Sequence, residues 1–582
     1  MKNLRQLKYS EILKYNKVIG SNLKSKPYKI SVLSNTIINQ IKEILEYPLR
    51  CEGISANVTF GGYDNIVQDS IKYCNSNTVI IFWELCNIID GFEYKVETLN
   101  DESLNAFIDK TKSEIDLVLK ALEKTSLVIF NRFTSLQFRS SNIRKSNLDK
   151  VAYKLNQFIE SRINPNVKLF DLEKVIARIG LEKSLDLRYY YSSKALYMVN
   201  FFKAYTESVI PFIMSANGKA KKALILDCDN TLWKGILGED GFDHIEMSTN
   251  TKDGLIFHEI QSIVLALNQG GVLIGLCSKN NPEDVDEVIK SHEDMQLRDR
   301  HITLNKSNWS DKVSNLKEMA EELNIGLDSF VIVDDSPFEV NLIKKELPEV
   351  TVLQVPEKLY EYPRMLQENV GLFYNLASSS EDLKKTEMYR QQVKRGTVKK
   401  SFTDIEDYLA SLELKITVFQ DNESIIPRMA QMSQKTNQFN LTTKRYTEGD
   451  IRKFVENDHF TVYAFSLSDR FGDSGVTGLC IIQFDVKSGL ADVDTFLMSC
   501  RIIGRNIEYA FIDFLLYSLQ KRKVKTVTAK YIRMQKNEQV KDYYKKCSFN
   551  LVKETSSTRE YTLDLTKYES KPIGYIQIQN GK

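Results

Sequence analysis

Histidine is scarce. The 582-residue chain holds five, at positions 244, 258, 292, 301 and 459. None precedes His244, so the usual proton shuttle is missing from the whole first third. Cysteine is thinly spread: Cys51, Cys74, Cys86, Cys228, Cys277, Cys480, Cys500 and Cys547 form no CxxC pair. That excludes a zinc ribbon and a dense disulfide framework. Neither charge sign dominates, with 79 Lys and Arg against 77 Asp and Glu and a net charge of +2. This balance argues against a generic nucleic-acid binder, although local patches stay open. No run approaches the roughly 18 uninterrupted apolar residues of a membrane helix. Residues 195–216 come nearest and are broken by Asn200, Lys203, Thr206, Glu207 and Pro211. The opening MKNLRQLKYSEILKYNK has no apolar core of a secretory signal. A soluble protein of a reducing compartment is expected, cytoplasmic, without nucleic acid or membrane insertion.

What is present is ordinary globular material, 42% hydrophobic and 27% charged, which excludes bulk disorder. At roughly 150 residues per domain the length predicts about three to four domains. Residues 1–217 alternate strand-like and helix-like patterns: strands at 29–33, 78–83, 127–130 and 167–172, and helices at 36–46, 102–124 and 147–162. That alternation predicts a parallel sheet with covered faces. A second block, 218–375, repeats it, with strands at 222–226, 272–276, 329–333 and 350–355 and helices at 257–269, 282–290, 312–323 and 339–347. Residues 376–412 are polar and helix-prone and read as an interdomain helical linker. Residues 413–582 read as mixed α+β, with strands at 414–419, 461–467, 477–486, 490–498, 526–531 and 558–563 and helices at 507–522 and 538–546.

The chemistry concentrates at strand ends. Asp227-Cys228-Asp229-Asn230-Thr231 follows the strand KALIL. Two carboxylates two residues apart past a strand can face one crevice, where open α/β sheets place ligands. One can attack phosphorus while the other protonates the leaving oxygen. Carboxylates facing a dianionic phosphate need a hard cation, usually Mg²⁺. Ser278 ends the strand VLIGLC and can hydrogen-bond a phosphoryl oxygen. Lys312 offers a point charge, and Asp334 and Asp335 end a third strand as candidate metal ligands. Cys228 and Cys277, beside these strand ends, are expected to be packing residues.

The last block has its own polar motifs. SQKTNQFNLTTKRY, at 433–446, is dense in hydrogen-bonding types and reads either as a capped helix end with its loop or as a binding element. DRFGDSG, at 469–475, reads as a turn between strands. DTFLMSCRIIGRN, at 494–506, joins a strand to a long helix whose N-terminus can hold a pyrophosphate. Cys500, beside Arg501 and near that helix start, is either a nucleophile with a lowered pKa or a small buried packing residue. Tyr531, Asn537, Tyr543 and Tyr544 are expected mainly to pack a core.

The order DxDxT, Ser, Lys, paired acids resembles the haloacid-dehalogenase-like (HAD) phosphotransferases. The resemblance implies Asp227 as nucleophile and Asp229 as acid/base. It implies Ser278 and Lys312 as phosphoryl-stabilising groups, and Mg²⁺ held by Asp227, Asp229, Asp334 and Asp335. The approximately fifty residues between Asp227 and Ser278 leave little room for a large cap. The RxxGx run resembles the pyrophosphate loop of GNAT acyltransferases, with Asn506 where a small glycine is usual. The stretches LDCDNTLWKGILGEDG, CSKNNPEDV, NWSDK, VDDSPFE, SQKTNQFNLTTKRY, DRFGDSG and SCRIIGR together resemble the FkbH family over about residues 220–565.

That resemblance implies a multidomain α/β chain. It has a degenerate SGNH-like parallel sheet, a HAD-like Rossmannoid sheet with a minimal cap, and a GNAT-like α+β domain. It further implies a bifunctional glyceryl transferase/phosphatase. In the family reading a phosphorylated three-carbon acyl donor, 1,3-bisphosphoglycerate, acylates an enzyme thiol. The phosphate is then removed, and glyceryl passes to a phosphopantetheinylated acyl carrier protein. Cys500 is the residue expected as that thiol. Candidate substrate-binding residues are Asn230, Thr231, Lys279, Asn437, Arg470, Arg501 and Arg505. In the first block Ser34-Asn35 stands where the SGNH nucleophile motif would be, without Gly-Asp-Ser and without histidine, so no Ser–His dyad is expected there. Two further readings stay open: a plain Mg²⁺ phosphatase with accessory domains, or the same chemistry on another phosphorylated donor in polysaccharide biosynthesis. A non-enzymatic carrier-binding adaptor is disfavoured, because a scaffold has no need of these site residues together.

Overall fold

The structure is a computed structural model that describes all residues except 1–3, 24, 89–94, 137–145, 377–384, 400–401, 486–487, 535 and 582. The chain divides into two compact units, Met1–Asn217 and Gly218–Lys582.

In the first unit β1 (Tyr28–Ser34), β2 (Ala56–Phe60), β3 (Thr78–Phe82), β4 (Leu127–Asn131) and β5 (Val167–Phe170) form a parallel sheet in the order β2-β1-β3-β4-β5. The central strands β3 and β4 are apolar but for Thr78 and Asn131 and are buried along their length, as covered parallel sheets require. The helix expected from residue 36 starts at Ile41. Asn35 and Thr36 instead form a buried turn. Thr36 N donates to Ser34 Oγ at 3.0 Å and Asn35 Nδ2 donates to the Glu84 carbonyl at 2.8 Å. Such local side-chain bonds compete with helix formation. The apolar helix Val199–Ala216 is spent on this core: the Tyr205 ring packs tilted against Phe82, centroids 4.8 Å apart, and its hydroxyl donates to Asn131 at 2.9 Å. Among the described residues no helix is long and apolar enough to cross a membrane.

The second unit holds two sheets. β6 (Ala223–Leu226), β7 (Leu273–Ser278), β8 (Ile302–Ser307), β9 (Phe330–Asp334) and β10 (Thr351–Gln354) are parallel in the order β10-β9-β6-β7-β8. Residues 230–251 make only a short excursion over the strand ends. It contains the helical turn Leu237–Asp240 and one bridge between Lys234 and Glu246. The expected minimal cap is thus a loop rather than a domain.

The second sheet is mixed. β11 (Leu414–Gln420), β13 (Phe460–Asp469), β14 (Gly472–Asp485), β15 (Leu490–Met498), β16 (Thr526–Ile532), β17 (Asn550–Glu554), β18 (Thr558–Asp564) and β19 (Ile576–Asn580) run in the order β17-β18-β16-β15-β14-β13-β11-β19. The parallel pair β15–β16 is in register from Leu490/Thr526 to Val493/Ala529 and no further. Beyond that point the two-residue strand β12 (Phe439–Asn440) pairs with Met498 and Leu497. Leu441 N donates to Phe496 O at 3.1 Å, and Ile532 N donates to Leu441 O at 2.8 Å. The middle of the SQKTNQFNLTTKRY motif therefore fills the gap between the parting strands. The helix expected at 538–546 is split into a 3-10 turn, Glu538–Val540, and the short helix Tyr543–Lys546. Tyr531, Tyr543 and Tyr544 are core residues, as expected, and Asn537 is buried beneath them.

Of the expected linker, residues 377–384 lie outside the described residues. Lys385–Lys399 and Ile405–Ser411 are helices. The first is pinned to the helix Lys252–Gln269, which packs on the parallel sheet, and to the mixed sheet: Asn268 Nδ2 donates to Thr386 Oγ1 at 3.0 Å, and Arg395 forms a buried two-point ion pair with Asp469.

Candidate active site

Three neighbouring strands bring the acidic residues together. Asp227 directly follows β6, Ser278 ends β7 and Asp334 ends β9, so all three sit at the carboxyl edge of one sheet. Lys312 is the first residue of the helix Lys312–Leu323, which Asp311 caps by accepting from Ser314 N. Its ammonium is buried, 2.6 Å from Asp334 Oδ2 and 3.0 Å from Asp227 Oδ2. Burial alone would depress the lysine pKa, but the charges of Asp227 and Asp334 outweigh it and hold it above the ordinary value. Asp334, fully buried, is pushed up to about 6 by burial first and then by the charge of Asp227. Asp335 is raised by the same two causes.

Carboxylate oxygens of Asp227, Asp334 and Asp335 lie within 4.8 Å of one another. This donor set is all oxygen, and its three carboxylates face the single ammonium of Lys312. Both features fit a hard divalent cation. Asp229, expected as a fourth carboxylate ligand, is not part of this cluster. Its Oδ1 accepts from Trp233 Nε1 and from Leu237 N, each at 3.0 Å, and its Oδ2 accepts from Asn280 Nδ2 at 2.9 Å. These donors hold the carboxylate toward the 230–251 loop.

Sequence reasoning missed Asn280 and Trp233. Asn280, buried, joins Asp229 to Ser278, whose Oγ accepts from the same amide at 3.0 Å. Trp233 is wholly buried and orients Asp229 from behind. A signal was present, since both fall inside the quoted motifs, but their partners are fixed only by the fold. Asn230 takes a left-handed backbone (φ 49°) and accepts from Gly235 N at 3.1 Å, so it shapes the loop. Thr231 is buried. Its carbonyl accepts from Tyr362 Oη at 3.1 Å, while its hydroxyl finds no partner among the described residues. Lys279 is exposed at the rim and pairs with Glu339 at 2.7 Å. Cys228 and Cys277 are buried in the apolar core, and burial raises both thiols.

The remaining candidates lie elsewhere. The long helix starts at Ile507 with Asn506 as its cap, so Cys500 is not at its N-terminus. It opens a separate 3-10 turn, Cys500–Ile502. Its half-buried side chain packs against the apolar cluster that contains Tyr389 and lies on the first sheet of this unit. Arg501 is buried, donates to the Ser474 carbonyl at 3.3 Å and lies 5.8 Å from the Tyr389 ring. Arg505 is committed to Asp469 at 3.2 Å, beside the pair between Arg395 and Asp469. Asn437 donates to the Gly218 carbonyl at 3.2 Å and accepts from Arg445 at 2.8 Å. Arg470 is exposed in the two-residue hairpin turn, its guanidinium 4.8 Å from the Phe471 ring. None of Asn437, Arg470, Arg501 and Arg505 meets the acidic cluster through the contacts described.

No family model matches the chain, nor does any curated protein. Solved structures do. The crystal structure of the N-terminal part of BF1531 from Bacteroides fragilis, described as containing a phosphatase domain complexed with Mg, is 24% identical. The match covers 64% of this chain and 100% of that one with a TM-score of 0.55. The chain shares that fold. The ribosomal-protein-S18-alanine N-acetyltransferase of Escherichia coli is similar over 27% of this chain and 99% of its own, at 12% identity and a TM-score of 0.22. A spermidine N-acetyltransferase of Vibrio cholerae is similar over 26% of this chain and 95% of its own, at 11% identity and a TM-score of 0.21.

Proposed function

We propose that the second unit is a Mg²⁺-dependent phosphatase of the HAD type that serves an acyl transfer. One observation carries the phosphatase half: Asp227, Asp334 and Asp335 converge within 4.8 Å around the buried ammonium of Lys312, at the carboxyl edge of a parallel sheet. The fold shared with a structure described as a Mg-bound phosphatase domain supports it. Mg²⁺ would be held by Asp227, Asp334 and Asp335, where it supplies positive charge against the phosphoryl oxygens.

The rest is the chain's own chemistry. Asp227 attacks phosphorus and the bond from phosphorus to the leaving oxygen breaks. Asp229, two residues on, gives that oxygen its proton. Water then attacks the aspartyl phosphate, Asp229 takes the water's proton, and phosphate leaves with Asp227 regenerated. Lys312 and Ser278 stabilise the phosphoryl oxygens. Strand ends covered only by the 230–251 loop suit a phosphate carried on a long or protein-bound arm.

The transfer half follows the FkbH-like motifs. An acyl phosphate, 1,3-bisphosphoglycerate, acylates Cys500, and the glyceryl unit ends on the pantetheine thiol of an acyl carrier protein. The plain phosphatase remains a second reading, favoured by the half-buried position of Cys500. Intact-mass spectrometry separates them. Wild type, Asp227→Asn and Cys500→Ala are incubated with Mg²⁺, a 1,3-bisphosphoglycerate-generating system and carrier protein. A glyceryl adduct on the carrier with wild type alone supports the bifunctional reading. Phosphate release from small monoesters with no adduct on either protein leaves only the phosphatase.

A further inference from the structure

Buried polar atoms without a partner are rare in folded chains, because each gives up water and gets nothing in return. Three of them stand together at one end of the mixed sheet. Phe439 pairs with Met498, and Met498 with Gly478. Phe439 and Met498 belong to one apolar cluster. The pleat therefore turns Gln438 and Ser499, their neighbours in the chain, to the opposite face. Ser499 N donates to Thr477 O at 2.8 Å, which puts Thr477 in the same row. Thr477 is the extra residue of a bulge, since Phe465 pairs with Gly478 and Ser466 with Val476. Bulges re-aim side chains. Val476 and Leu479 pack there with Met429 of the helix Ile426–Lys435, which covers this face.

Thr477 is fully buried, and its hydroxyl finds no partner among the described residues. The side-chain oxygen of Gln438 is likewise buried and unpartnered among them. Arg501, two residues past Ser499 and 7% exposed, is held by the Ser474 carbonyl at 3.3 Å through Nη2, while its Nε finds no partner among the described residues. A second guanidinium, that of Arg428, donates Nε and Nη2 to the Val476 carbonyl at 3.2 and 3.1 Å. The donor set specifies a ligand. A hydroxyl donates or accepts, the glutamine oxygen only accepts, and the arginine N–H only donates. Two groups able to accept O–H, beside one that donates to an oxygen, fit a short acid bearing hydroxyls. An unsubstituted acyl chain has no O–H to give them.

We propose that Thr477, Gln438 and Arg501 are the acyl-recognition residues of the transfer half and select a hydroxylated acyl group over a plain one. This rests on the acyl-transfer reading above. Cys500, the thiol of that reading, stands between Ser499 and Arg501 in the chain, so its acyl group is carried beside this row. Thr477 and Gln438 take the hydroxyls, and Arg501 takes a carbonyl or phosphate oxygen. A site built to hydrogen-bond a hydroxyl rejects the analogue lacking it far more strongly than an apolar pocket does.

The test is a competition on the full chain with Mg²⁺ and phosphopantetheinylated carrier, read by intact mass. The 1,3-bisphosphoglycerate-generating system is supplied together with acetyl phosphate, whose acyl group has no hydroxyl. Wild type should load the three-carbon group over acetyl by about tenfold or more. Thr477→Val keeps the shape and removes only the hydroxyl. It should lose about tenfold in loading of the three-carbon group without losing acetyl loading, and melt no lower than wild type. Wild-type loading by Thr477→Val, or equal loading of the two donors by wild type, overturns the assignment while leaving acyl transfer intact. A lower melt with both loadings reduced alike makes the hydroxyl structural and overturns it too. No adduct on either protein removes the acyl-transfer reading and this proposal with it.

Discussion

Asn280 donates its amide to Asp229 Oδ2 at 2.9 Å, and the same Nδ2 lies 3.0 Å from Ser278 Oγ. One buried side chain therefore ties the carboxylate proposed for proton transfer to the hydroxyl proposed for phosphoryl binding. Asn280→Ala leaves Asp229 without that donor in a site where an unmade hydrogen bond costs about 1–3 kcal/mol. The expected loss in kcat is about ten- to a hundredfold, with KM for a generic phosphate monoester nearly unchanged. A change confined to KM or to melting temperature would reduce Asn280 to a packing role.

Lys312 is the only cation paired with Asp227 and Asp334 among the described residues. Lys312→Met strands two buried carboxylates. Breaking a buried pair by removing one partner costs about 3–5 kcal/mol. The variant should unfold at lower denaturant concentration and lose phosphatase turnover to background. Retained turnover would assign the lysine to the fold alone.

If Asp227, Asp334 and Asp335 hold a divalent cation, the folded state should be stabilised by it. A ligand at a hundred times its Kd adds about 2.7 kcal/mol. Mg²⁺ should raise the melting temperature of the wild type, EDTA should reverse the shift and abolish turnover, and Asp335→Asn should shrink the shift. An unchanged wild-type melt across a Mg²⁺ titration would remove the metal from the site.

The parts of this centre that were legible share a local signature. Asp227, Ser278 and Asp334 each close an apolar strand, and Lys312 opens a helix read at its true bounds. The strand Leu490–Met498 and the helix Asn147–Arg162 were equally plain, because their periodicity is uninterrupted. β2 and β8 were not. ANVTF is a half-exposed edge strand, and ITLNKS is polar at its end. β12 is only two residues long and exists because the parting of β15 and β16 leaves backbone groups to pair. The start of the long helix was read at its true residue, 507, but the separate 3-10 turn Cys500–Ile502 that stands before it carries no periodicity to read, so Cys500 was placed too near that start.

The DRFGDSG motif makes a prediction through its first residue, not through exposed Arg470. Asp469 takes two bonds from Arg395, at 2.7 and 2.8 Å, and one from Arg505 at 3.2 Å, all buried. Asp469→Ala leaves two guanidiniums unpaired where the linker helix meets the hairpin, a loss of the order of 3–5 kcal/mol. Denaturation should show it, and Asp469→Asn should recover part. A melt within a degree of wild type would mean that water replaces the carboxylate there.

Glu508, in the first turn of the long helix, is buried and its Oε2 finds no partner among the described residues. Burial raises its pKa, against smaller lowering by its own backbone N–H and by the charge of Lys546. A carboxyl whose folded pKa exceeds its unfolded value stabilises the fold only when protonated, so at neutral pH the charged form is a burden. Glu508→Gln keeps the shape and removes that burden. It should raise the melting temperature at pH 7.5. The gain should shrink as pH falls through the raised pKa and disappear below the ordinary glutamate value of 4.5. A variant less stable than wild type at pH 7.5 would mean that the carboxylate is matched by a cation or a ligand, and would make Glu508 a binding group.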